Sequence, residues 1–184
     1  MLDFPLYYQL TRLYADYAAA LDAEDWEKWP DFFLEDCTYK VLPRENHERG
    51  YPLATMAFES RGMLKDRIYG ATDTIFHDPY YQRHVVGAPR VLSADGDRIE
   101  SEASYAVFRT KPNQLTTVFN VGRYLDVVRQ TPDGLKFESR LCIFDSDLIP
   151  NSLIYPIDQD NRYEYAMDQG HRAGRRAGRR RRRR

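Results

Sequence analysis

At 184 residues the chain is long enough for one domain whose core needs neither metal nor disulfide. Of its 27 basic residues, nine are arginines between His171 and Arg184; the 18 that remain face 28 acidic residues, so the formal net charge of −1 becomes −10 outside that tail. No apolar run approaches the roughly 20 residues of a membrane span, and MLDFPLYYQL, with Asp3 and no basic residue, does not read as a secretory signal, so a cytoplasmic protein is expected.

Residues 6–21, LYYQLTRLYADYAAAL, place Leu6, Leu10, Leu13, Tyr14, Tyr17 and Leu21 on one helical stripe. Asp22 or Asp25 is positioned to cap the next segment, in which Trp26, Trp29 and Phe33 recur at helical spacing around Pro30 and predict a short or broken helix. CTYKVL at 37–42 alternates as a strand ended by Pro43, and residues 43–58 read as an irregular excursion. A further helix is predicted over 59–69, with Gly70 as its terminator.

From about residue 81 the pattern is that of sheet. Strands are predicted over 83–93, 98–110, 115–129 and 135–145, separated by the turn-forming stretches ADGD, KPNQ and TPDG. Short turns between long strands make an antiparallel meander the economical topology. In 98–110, Ile99, Ala103, Tyr105 and Val107 fall on one face and Glu100, Glu102, Ser104 and Phe108 on the other. Helices first and sheet afterwards define an α+β class, the helices covering one sheet face. The domain is expected to span 1–160. Residues 161–184 form an extension, Arg-rich from about 171 and expected to be disordered. The apolar stretch 146–157, SDLIPNSLIYPI, is a candidate docking segment, whether on its own domain or on a partner.

The aromatic opening helix, AEDWEKWPDFFLEDCTYKV followed by ERG at Glu48–Gly50, YGATDTIFHDPYYQRHVVGAPRV and FNVGRYLDVVRQTPDGLKFESRLCIFDSD occur in an order that resembles the small (beta) subunits of aromatic-ring-hydroxylating, Rieske-type oxygenases. The resemblance runs over about residues 6–157, and the LIPNSLIYPI ending is similar to the salicylate- or anthranilate-type members. It implies a cone-like fold of the nuclear transport factor 2 and ketosteroid isomerase type, with N-terminal helices on a curved antiparallel sheet. It also implies an α3β3 heterohexamer with large alpha subunits and other beta subunits. The Rieske [2Fe-2S] cluster and mononuclear Fe(II) are then expected in the alpha subunit, with NAD(P)H used by reductase or ferredoxin partners, and no cofactor in this chain.

The residues agree with that division. A Rieske cluster needs two thiolates and two imidazoles in close pairs, whereas Cys37 and Cys142 are far apart, lack a nearby histidine, and read as buried, reduced thiols. The mononuclear-iron alternative rests on His77 and His84 with Asp73 or Asp78, whose spacing matches no strong template. Catalytic and metal-binding residues are therefore expected to be none. Subunit-contact candidates are Arg44, His47, Glu48, Arg49, Arg61, Arg67 and Arg83, because an arginine fork pairs bidentately with carboxylates. Asp145 is read as satisfying backbone N–H groups where its strand ends.

Two other classes compete. A free-standing cone-fold isomerase or dehydratase would pair an Asp or His base with phenol donors, for which Tyr39, Asp73, His77, Tyr105 and Tyr124 are available. A nucleic-acid accessory role is suggested only by HRAGRRAGRRRRRR; without a folded reader and on an acidic body it is not expected, and neither is membrane binding.

Overall fold

A computed structural model describes residues 2–74 and 80–146. It begins with helix α1, Phe4–Asp22, whose start follows from local chemistry. The Asp3 carboxylate accepts a hydrogen bond from the Leu6 N–H at 2.9 Å, and Pro5 sits in the first turn, where its missing N–H leaves no bond unmade. The predicted stripe is the buried one: Leu10, Leu13, Tyr14, Tyr17 and Leu21 are inside, with Leu6 at the margin.

Beyond α1 the chain tightens into a 3₁₀ turn, Trp29–Phe32, with Pro30 in its first positions. Phe33 already opens strand β1, Phe33–Pro43, so the Trp26–Phe33 piece is a turn and a strand start rather than a helix. Asp22 does not cap it; it ends α1 and turns its carboxylate to His84. The segment read as irregular holds a one-turn helix α2, Arg44–Glu48, and a short strand β2, Met56–Phe58. Helix α3, Arg61–Tyr69, is capped by Ser60, whose hydroxyl accepts from Met63 N–H at 3.2 Å. Gly70 does not stop it. The chain stays right-handed and widens into a π turn, Gly70–Thr74, in which the Thr72 and Thr74 hydroxyls donate back to the carbonyls of Ile68 and Gly70.

The remaining strands are β3 Tyr81–Val86, β4 Arg90–Asp95, β5 Arg98–Thr110, β6 Thr117–Thr131 and β7 Gly134–Phe144. Their order is β2-β1-β7-β6-β5-β3, with β4 also on β5. The predicted strand 83–93 is two strands. Both pair with β5 on the same edge, and the break falls at Gly87–Pro89, where Pro89 has no N–H for the ladder. The β5–β6–β7 meander is antiparallel as expected, but β1 joins β7 in parallel, so the sheet is mixed. Helix α1 and the 3₁₀ turn lie over one face, and the core is the space between. On β5 the division of faces is the predicted one, with Ile99, Ala103, Tyr105 and Val107 inside.

Gly122 of β6 shows how closely strands meet here. A β-carbon at this position would lie 2.0 Å from the Ile143 carbonyl oxygen of β7, so no side chain fits without moving backbone. Gly122→Ala is expected to destabilise the fold by about 3 kcal/mol, the upper range for overpacking, because the obstacle is main chain rather than a rotatable group. Urea unfolding of the two proteins measures this; equal midpoints would contradict the close approach.

Candidate functional site

A cone-shaped α+β domain can house chemistry between its helices and the concave sheet face. In this protein that space is built around a guanidinium. Arg140 of β7 is fully buried and bonds Asp126 of β6 twice, Nε to Oδ1 at 3.0 Å and Nη2 to Oδ2 at 2.7 Å. The register places the two residues directly opposite each other on adjacent antiparallel strands. Four rings enclose the cation. Its Cζ lies 3.9 Å from the Phe137 centroid, 4.1 Å from Tyr17, 4.3 Å from Tyr124 and 4.9 Å from Tyr14. Burial works against the charge, but the bidentate Asp126 carboxylate more than offsets it, so the Arg140 pKa stands above that of a free arginine.

The cage is tied to its surroundings by neutral hydrogen bonds. Tyr14 and Ser101 share a bond of 3.1 Å, Trp29 Nε1 donates to the Tyr17 hydroxyl at 3.1 Å, and the Tyr105 hydroxyl donates to Asn120 Oδ1 at 2.6 Å. Tyr105 stacks on Tyr124 at 4.3 Å. Burial drives the phenols of Tyr14, Tyr17, Tyr39, Tyr105 and Tyr124 above their ordinary range, so they stay protonated hydrogen-bonding groups at neutral pH. Burial likewise pushes the Cys142 thiol up to about 12 and the Cys37 thiol up to about 11.

Of the residues proposed for an isomerase-like pocket, Tyr39, Tyr105 and Tyr124 do meet in this core. Asp73 does not join them: it lies exposed on the π turn, bonded by the Thr72 hydroxyl at 2.6 Å. His77, like Asp78, lies outside the described residues. The buried acid–imidazole pair is instead Asp22 with His84, which sequence spacing hid because the partners are 62 residues apart. His84 Nδ1 and Asp22 Oδ1 are 2.8 Å apart, the same carboxylate accepts the His84 backbone N–H at 2.9 Å, and Arg83 adds a bond at 3.1 Å. The pair pins the end of α1 to β3. His84 Nε2, the Gln82 side-chain amide and Asn120 Nδ2 are buried without a hydrogen-bond partner among the described residues.

The described residues do not fit a Rieske centre. Cys37 and Cys142 are unpaired thiols in neighbouring strands, Cys142 opposite Val41 and therefore four residues out of register with Cys37. Among the described residues no three of His, Cys, Asp and Glu are grouped to hold a metal ion.

The surface candidates are spread over three elements. On α2, Arg44 pairs with Asp145, and Glu45 with Arg49 just past the helix end at 3.0 Å, while His47 and Glu48 belong to the same turn. On α3, Arg61 pairs with Glu35, and Arg67 lies further along the helix. Arg83 is on β3. Asp145 thus directs its carboxylate to Arg44 rather than to strand-end N–H groups; its own N–H donates to Val121 O at 2.8 Å. An open groove of about 550 Å³ separates the 3₁₀ turn from α3, lined by Trp26, Pro30, Lys65, Ile68, Tyr69 and Asp73 among others.

A long helix laid across a curved mixed sheet, with the core between them, defines the cone fold of the nuclear transport factor 2 type. An NTF2-like protein of cystatin-like fold from Novosphingobium aromaticivorans superposes with a TM-score of 0.58 at 20% identity, covering 76% of this chain and 82% of that one. More specifically, residues 17–151 match the ring hydroxylating beta subunit family, and the chain belongs to it. It is 30% identical over 155 residues to the anthranilate 1,2-dioxygenase small subunit of Burkholderia cepacia, covering 84% of this chain and 96% of that one. A terephthalate 1,2-dioxygenase terminal oxygenase beta subunit of a Comamonas species is 29% identical, with 81% and 97% covered. Among solved structures, one described as the beta subunit of an aromatic-ring-hydroxylating dioxygenase of Novosphingobium aromaticivorans superposes with a TM-score of 0.73 at 34% identity, covering 79% of this chain and 92% of that one.

Removing one member of the caged pair strands the other. Asp126→Leu alone is expected to cost about 3–5 kcal/mol, whereas Asp126→Leu with Arg140→Met recovers most of that loss, since an apolar pair needs no counter-charge. Chemical denaturation of the single and double variants reads the difference. The raised thiol and phenols set a pH dependence of definite sign. The folded chain keeps protons that the unfolded chain releases, for Cys142 from its ordinary value of 9.0 up to about 12. Stability is therefore full below pH 9 and falls as pH rises from 9 toward 12. The part of the tyrosinate absorbance that comes from the buried phenols is expected to rise together with unfolding; full ionisation in a chain still folded would contradict the buried cage.

Proposed function

We propose that this chain is the structural, non-catalytic beta subunit of a multicomponent aromatic-ring-hydroxylating oxygenase, working in the cytoplasm on a small aromatic acid. The observation that supports the reading is the buried cage between α1 and the sheet, in which Arg140 and Asp126 are paired and enclosed by four aromatic rings. The relatives named for anthranilate and terephthalate dioxygenation support an aromatic acid as substrate. Oxygen activation needs iron and its ligands, so it falls to a large alpha subunit carrying a Rieske [2Fe-2S] cluster and mononuclear Fe(II). Two electrons come from NAD(P)H through reductase or ferredoxin partners acting on that subunit.

In this reading the small subunit holds three large subunits in an α3β3 ring, so that one subunit's cluster stands near a neighbour's iron. Arg44, His47, Glu48, Arg49, Arg61, Arg67 and Arg83 are proposed contacts, setting register through charge pairs more than adding net affinity. A free-standing isomerase or dehydratase would use a pair such as Asp22 and His84. However, the His84 side chain is only 1% exposed, which keeps a carbonyl substrate from its ring.

Co-expression with the cognate large subunit, followed by light scattering, iron analysis and hydroxylation assay, tests the proposal. A mixed hexamer is expected, with iron present only in the large subunit's company and ring hydroxylation lost when this chain is omitted. A homodimer that turns over a carbonyl compound unaided would overturn it.

A further inference from the structure

The sheet face turned away from α1 is not uniformly polar. Register places Val85 of β3, Ala106 of β5 and Val121 of β6 in one row across three strands. Arg83, Phe108 and Val118 form the next row, and Tyr81 extends the face along β3. Tyr81, Val85 and Val118 are each 56% exposed and Val121 41%. Scattered apolar residues on a surface are ordinary, but consecutive rows across three adjacent strands make a contiguous patch of the kind that marks an interface.

Beside these rows stands Arg123, which follows Val121 by two residues on β6, opposite Ser104 of β5 and Ile143 of β7. Its Nε is buried and makes no hydrogen bond among the described residues. Two residues further along this side of β5 lies Glu102, which is already held by Arg90 at 2.6 Å. Arg83 in turn takes up the Asp22 carboxylate, which His84 shares. Arg83 is thus matched by Asp22, whereas Arg123 makes no ion pair among the described residues, so the face would meet its own kind badly. Isologous pairing of two copies would bring like charges together around the apolar rows.

We infer that this face is the seat of the large oxygenase subunit, which presents apolar side chains around a carboxylate that receives Arg123. The inference rests on the proposed role and names the surface that performs it. Val85, Val118 and Val121 would supply the dry centre of the contact and Arg123 its orientation, the arrangement in which a buried arginine counts most.

The test uses the full chain with its cognate large subunit. Val121→Asp and Arg123→Glu are each expected to weaken assembly by about 30-fold or more, Arg123→Lys by less, and Asp133→Lys in the β6–β7 turn not at all. All three positions are on the surface or half-buried, and circular dichroism of the isolated chain confirms that each variant keeps the native fold. Wild-type assembly with undiminished assembly of Val121→Asp and Arg123→Glu would overturn the assignment while leaving the subunit role intact. If the same two variants instead break a homo-oligomer of this chain alone, the face belongs to a second copy and the assignment is likewise overturned. Failure of the wild-type chain to join the large subunit at all would remove the proposed role, and the assignment with it.

Discussion

The fold is organised by a charge that has no access to water. Arg140 sits where the concave sheet meets α1, and two bonds from Asp126 compensate its lost hydration. The encircling rings of Tyr14, Tyr17, Tyr124 and Phe137 present their faces to the cation, a geometry that stabilises it further by cation–π attraction. Tyr14 and Tyr17 come from the N-terminal helix, whereas Tyr124, Asp126, Phe137 and Arg140 come from β6 and β7 near the end of the described chain. The cage therefore fixes how the helix lies on the sheet. A purely apolar core could tolerate several helix positions; a buried guanidinium with a fixed set of partners accepts few.

The same arrangement links structure to role. Phenols above their ordinary range and a thiol near 12 stay protonated at neutral pH. In the proposed role the contacts lie on the surface: the apolar rows of β3, β5 and β6 with Arg123, and the charged turns of α2 and α3. Membership of the ring hydroxylating beta subunit family agrees with that role.

Much of the architecture is legible in the sequence because it is local. The α1 stripe follows from helical spacing, and the two faces of β5 from alternation. Both reach the core as expected. The features that escape such reading are non-local. Nothing near Phe33 announces that β1 will lie parallel to a strand a hundred residues later, and Gly87–Pro89 shows only in three dimensions that it divides two strands sharing one edge. For the same reason Asp22–His84 and Asp126–Arg140 are invisible, since an ion pair across a fold leaves no sequence spacing to read. The sequence is rich in tyrosine, but periodicity cannot show that several rings enclose one arginine. The phenols available to the isomerase alternative lie in the core, whereas Asp73, its candidate carboxylate, lies exposed.

In the proposed role the interior serves stability and geometry, and turnover belongs to the large subunit. The most direct measurement of that claim is steady-state hydroxylation by the assembled oxygenase containing this chain with Asp126→Leu and Arg140→Met together. The outer surface is unchanged by that substitution, so kcat per large subunit should equal that of the wild-type complex. A large fall in kcat in a fully assembled, iron-replete complex would mean that the caged pair takes part in the reaction, and would contradict a purely structural interior.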